Sequence, residues 1–273
     1  MSKIELTEGI IQESSSELQI SLILLKKGFN GDDIFDKEGN YLGRTDEGNF
    51  LIRILTTDVT FEEAAADLNT NNQLLTQFRY CKEDKLNREA LLKIVNYYGK
   101  QAGLDQAVQL FDVDTIKEPD AAGAFAFWHL QRKTFNFCVN TIEGTINLHA
   151  NNYNNVIVSL GHEKMHKVDE RTKKILLHVD VVIQESNNSN FSNTTHDFKR
   201  SRGMYAADLL NRALLPSPLN KGVTLKDVLD KIDQFNESEM GKFFTLEYKV
   251  DSKIVQSGAK YEGVIINGKK SKK

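Results

Sequence analysis

His162 and His166 stand four residues apart with Glu163 directly after the first, and no other feature constrains the chain as much. On a helix this spacing puts both imidazoles on one face, about 5–6 Å apart at Cβ, so their ring nitrogens can converge on one tetrahedral Zn2+. Three protein ligands leave a fourth position for water, whose pKa falls to about 7, and a carboxylate within hydrogen-bond reach takes its proton. Glu163 is placed for that role and not for ligation.

A five-residue pattern is short, so its surroundings carry weight. Thr145-Ile146-Asn147-Leu148-His149 alternates apolar and polar as a half-buried strand does, and it is the candidate edge strand for an extended substrate. The run Asn151-Asn152-Tyr153-Asn154-Asn155 then offers turn residues and an N-cap. From there Val156, Ile157, Leu160, Met165 and Val168 form an apolar stripe that buries a helix and leaves His162 and His166 near its edge.

Two residues compete to be the third ligand. His178 lies in the apolar segment Lys174–Gln184, long enough for a second helix, and Asp169–Lys173 is the natural turn between the two. With that turn centred near Arg171, an antiparallel partner helix meets the level of His162 and His166 at about residue 178. Glu185 follows His166 by nineteen residues, a separation resembling that of gluzincin metallopeptidases, and needs a later turn. The two are seven residues apart and share a helix face, so both can line one cleft. Hydrolysis also needs a donor for the developing oxyanion, and His196 and Tyr205 lie near enough downstream to reach back over the metal. Arg200 and Arg202 are further candidate donors, although a solvated place at the surface is the leading expectation for both.

The segments Tyr153–Asn155, Leu160–Asp169, His178–Gln184 and Phe191–Lys199 resemble the metallopeptidase-type domains at the C-terminal ends of bacterial polymorphic toxins, notably those of Bacteroidetes, over residues 120–215. The resemblance implies a zincin-like catalytic domain that cuts peptide bonds, a peptide or protein substrate, and an immunity or delivery partner.

Composition fits such an enzyme. The 40% hydrophobic content over 273 residues supports a real core. A net charge of −3 argues against a nucleic-acid binder, because phosphate recognition wants a concentrated basic surface, and only the tail Gly268–Lys273 is strongly basic. Apolar runs such as Leu22–Leu25 are far too short to span a bilayer. No signal-peptide pattern follows Met1, so synthesis in the cytosol, with any export through a leaderless route, is the expectation. Cys81 and Cys138 lack a CxxC pattern and are expected to be isolated buried thiols.

The flanks are simpler. Residues 17–25 and 50–55 look strand-like, and the Gly39-Asn40 and Gly48-Asn49 turns suggest a small antiparallel meander. Asp32, Asp33, Asp36 and Glu38 lack the spacing and terminal glutamate of an EF-hand loop, which leaves a plain hairpin turn. Thr60–Glu63 is a capping box for a helix through Leu68, and Asn87–Glu89 opens another to about Lys100, together a helical linker region. Pro119–Ala124 is the expected boundary, after which Phe125–Trp128 and Phe135–Val139 are strands of the catalytic sheet. The Asn/Ser stretch 186–194 is expected to be a mobile loop, Gly203–Arg212 an amphipathic helix, and Thr224 the start of another. Phe243–Val250 and Tyr261–Ile266 are closing strands, expected to pack on the meander.

The combined expectation is an α+β fold: a β-meander and helical region over 1–118, then a zincin-like domain over 119–273 with an active-site helix and its neighbour beside a small sheet. Zn2+ is held by His162, His166 and His178 or Glu185, Glu163 is the base, and His196 and Tyr205 are the candidate donors. The alternative for the same residues is a binding module in which the helix pair is only a scaffold.

Overall fold

The computed structural model describes residues 31–78, 88–112, 126–140, 145–169, 171, 174–251 and 261–268. The strand expected over 17–25, Cys81, the boundary segment 119–124 and the basic end 269–273 lie outside these residues. The architecture is mixed α+β, as the sequence implies.

The N-terminal sheet holds β1 (Asp33–Phe35), β2 (Tyr41–Arg44), β3 (Ile52–Leu55) and β4 (Leu75–Gln77), in the order β2-β1-β3-β4. The β1–β2 hairpin turns at Gly39 (φ +80°), with the Asp36 carboxylate accepting from the Asn40 N–H at 2.7 Å. The second turn does not continue an antiparallel meander, because β3 crosses to the far side of β1 and pairs with it in parallel. Asp32 explains the crossing. Its buried carboxylate accepts from the Asn49 and Leu51 N–H groups and from Arg53 Nε, which draws the 45–51 loop over the strand end.

Helix α1 (Phe61–Leu68) opens with the expected capping box at Thr60 and Glu63, links the paired strands β3 and β4, and packs Ala64 against Ile34, Leu55 and Leu75. Helix α2 (Arg88–Gln101) is no linker, for it buries Ala90, Leu91, Ile94, Val95 and Tyr98 in the main core.

The second sheet has β5 (Val108–Asp112), β6 (Ala126–His129), β7 (Thr134–Asn140) and β8 (Thr145–Ile146), in the order β5-β7-β6 with β8 also on β7. Phe135, Phe137 and Val139 alternate into the main core, while Cys138 joins Phe111 and Phe127 on the opposite face, as a period of two requires. The strand expected over 145–149 stops after Ile146. Asn147 accepts the His149 N–H on its side chain and turns Leu148–Asn151 into a 3-10 helix.

Four further α-helices follow among the described residues: α3 (Tyr153–Val168), α4 (Ile175–Glu185), α5 (His196–Leu214) and α6 (Leu225–Glu237). Between α4 and α5 the Asn/Ser stretch is a hydrogen-bonded turn anchored by buried Phe191, whose 3-10 segment Lys199 Nζ secures through the Ser192 and Thr194 carbonyls. The closing strands β9 (Phe244–Asp251) and β10 (Tyr261–Gly268) pair with each other and lie on α5 and α6, not on the N-terminal sheet. One continuous core runs from Phe35 to Leu246, taking in residues from both sides of 119. No helix among the described residues is long and apolar enough to cross a membrane.

Candidate metal centre

Helix α3 starts where the N-terminal sheet ends. Asn152 caps it by accepting the Asn155 N–H, the Tyr153 N–H donates to the Phe50 carbonyl, and Leu51 bridges Asn152. The helix is then buried almost all round. Val156, Ile157, Val158 and Leu160 are in the core, and His162, Glu163 and His166 are themselves buried. The expected one-sided stripe is therefore wrong at its far end, where Val168 is 79% exposed, and the histidines lie inside instead of at a margin. The β6 strand, α2 and α4 cover the faces that a surface helix would leave open.

The chain folds back between Val168 and Ile175, and α4 brings His178 level with both histidines of α3. The three Nε2 atoms stand 3.2 Å (His162–His178), 3.1 Å (His162–His166) and 3.1 Å (His166–His178) apart. A tetrahedral ion about 2.0–2.1 Å from each nitrogen needs ligands roughly 3.3–3.4 Å apart, so the trio fits one ion of that kind. These residues can together hold a metal ion.

Glu185, the other candidate third ligand, is not among the converging nitrogens. It sits behind His162, its Oε2 accepting from Nδ1–H at 2.7 Å and its Oε1 accepting from Arg202 Nε at 2.8 Å. Burial pushes the Glu185 carboxyl up, and the Arg202 guanidinium pulls it back toward the charged form. With a carboxylate on Nδ1, the His162 Nε2 carries the lone pair that ligation needs. Burial, with Arg202 nearby, also drives the His162 pKa well below its ordinary value, which keeps the ring neutral.

The Glu163 carboxylate accepts the Trp128 main-chain N–H at 2.7 Å. Burial of the Cys138 thiol, with the nearby Glu163 charge adding to it, pushes that thiol up to about 12, and the cysteine is buried as expected. Tyr205 on α5 reaches the trio, its hydroxyl 3.4 Å from His178 Nε2 and its ring edge-on to the imidazole. His196 does not join them. Thr195 caps α5, which leaves His196 as its exposed first residue, stacked on Phe244 and nine residues from Tyr205, about 13–14 Å along the helix. Arg202, expected at the surface, is instead part of the buried carboxylate pair, with 19% of its side chain exposed. The signal for it was present: it precedes Tyr205 by three residues and shares its helix face.

A mixed α+β fold that converges three imidazoles on a point beside a buried glutamate is a fold with a site able to hold a metal ion. A model of the metallopeptidase toxin 2 family matches residues 33–244, and the chain belongs to that family. No curated protein and no solved structure matches it. The family implies a metal cofactor and a protein substrate.

Proposed function

We propose that the chain is a zinc-dependent peptidase of the toxin or effector kind, with Zn2+ held by the Nε2 atoms of His162, His166 and His178. The observation that carries this reading is the spacing of those three nitrogens, together with the carboxylate that fixes the His162 tautomer. When bound there, the ion would supply Lewis acidity for a water and for the scissile carbonyl. Glu163 accepts the proton of the attacking water at its carboxylate and passes it to the departing amide nitrogen. The Tyr205 hydroxyl, beside His178, donates to the oxyanion as it forms. Glu185 orients His162 and is not a ligand.

An extended substrate is best held at β6. It is an end strand of its sheet, and the Trp128 N–H points away from β7 toward Glu163. With β8 only two residues long, β6 takes over the part expected of residues 145–149. An immunity or delivery partner follows from the same reading of a toxin.

The test is metal content. Purified protein should carry one zinc per chain, and His162→Ala and His178→Ala should each lose it while Glu185→Gln weakens it only in part. A protein without zinc that melts identically with and without chelator would leave the helix pair as a scaffold.

A further inference from the structure

Arg202 spans two helices to reach a carboxylate that solvent does not touch. Glu185 is 2% exposed, and a buried carboxylate is costly unless a cation and hydrogen bonds meet it. Both oxygens are met: Oε1 accepts from Arg202 Nε at 2.8 Å and Oε2 from His162 Nδ1 at 2.7 Å. The guanidinium is steered in turn, since its Cζ lies 5.2 Å over the Phe198 ring, one turn earlier in α5. One helix face therefore carries Phe198, Arg202 and Tyr205, and reaches the histidine trio twice: through Glu185 to His162, and through Tyr205 to His178.

We infer that Arg202 is a positioning residue of the metal centre, acting through Glu185 to hold the His162 ring in ligating orientation, so that α5 clamps the site built on α3 and α4. The inference rests on the zinc reading above. Arginine suits the task because its planar guanidinium holds the Nε–H donor in a fixed direction toward the carboxylate, whereas lysine offers a point charge on a flexible four-carbon stem. Arg202 touches neither substrate nor metal in this scheme. Its effect passes through one carboxylate, and that gives the inference a signature.

The experiment compares wild type, Arg202→Met, Arg202→Lys, Glu185→Gln and the Arg202→Met/Glu185→Gln double variant. It reads the zinc dissociation constant by competition with a chromogenic chelator and the visible spectrum of the cobalt-substituted protein. Arg202→Met should weaken zinc by about 10–100-fold, the range for losing an outer partner of a metal-bound histidine, and should alter the cobalt spectrum. Arg202→Lys should recover part of the loss. The double variant should bind no more weakly than the worse single one, because both remove the same restraint. Additive losses, or an Arg202→Met protein that binds zinc as wild type does, would overturn the inference alone. Wild-type protein that binds no zinc fails the reading beneath it. Should Arg202→Met not fold, Glu185→Gln decides by itself, since wild-type zinc affinity in that variant removes the carboxylate through which Arg202 acts.

Discussion

Glu163 and Trp128 are joined by a hydrogen bond of 2.7 Å from a main-chain N–H on β6 to a carboxylate on α3, one position past His162. The bond fixes the glutamate between the histidine helix and the strand edge, where an extended peptide would lie. Glu163→Gln keeps an acceptor oxygen for the Trp128 N–H and removes only the ability to take a proton. Zinc content and melting temperature should therefore hold while peptide turnover falls by about 10²–10⁴-fold. Turnover by the glutamine variant at the wild-type rate, with zinc bound, would mean that another group is the base.

Metal removal should be felt through the whole core, because His162 and His166 lie on a helix buried on nearly every side. At free zinc a hundredfold above its dissociation constant the ion stabilises the fold by about 2.7 kcal/mol. Chelator should lower the melting temperature of wild type and leave that of His178→Ala unmoved. Calorimetry of the two proteins with and without chelator checks both halves.

What the sequence made legible was local. His162, Glu163 and His166 could be read from one helical turn, and His178 from reflecting that turn across Asp169–Lys173. Thr60 and Thr224 announce their helices through capping boxes whose partners are three residues away. The partner of Arg202 and the parallel pairing of β1 with β3 were not legible. Each depends on a carboxylate distant in sequence, Glu185 for the arginine and Asp32 for the crossing loop, and no period or turn signal encodes which side a loop will take. The 145–149 segment misled for the opposite reason. Its alternation is that of a strand, but a single asparagine side chain at 147 offers the backbone a competing bond.

Asp33 should be the most sensitive position in the N-terminal sheet. It is fully buried and accepts from Arg44 Nε at 2.6 Å, from a second Arg44 nitrogen at 3.1 Å and from the Tyr98 hydroxyl at 2.9 Å. Arg44 lies over the ring of Tyr153, the first residue of α3, so the same cluster ties the sheet to the metal helix. Breaking one side of a buried ion pair costs about 3–5 kcal/mol, and Asp33→Ala should fall at the low end because Arg44 reaches solvent. Equilibrium denaturant unfolding measures the loss, and a value under about 1 kcal/mol, typical of surface pairs, would show that the cluster contributes only as an exposed contact does.

The β1–β2 turn offers a separate test of how the N-terminal sheet meets α2. Gly39 has φ +80°, where a side chain costs about 1–2 kcal/mol, and a Cβ there would stand 2.3 Å from the Ala90 carbonyl oxygen of α2. That oxygen belongs to a core helix and has little room to retreat, so Gly39→Ala should destabilise by more than the backbone term alone. Gly222 supplies the control, since its φ is +88° and nothing lies within 4 Å of the Cβ it would gain. Gly222→Ala should show the backbone cost without the collision, so in paired melts the Gly39 variant must unfold at the lower temperature. Equal melting temperatures would mean that the turn moves off the helix freely, and that Ala90 does not fix the distance between hairpin and core.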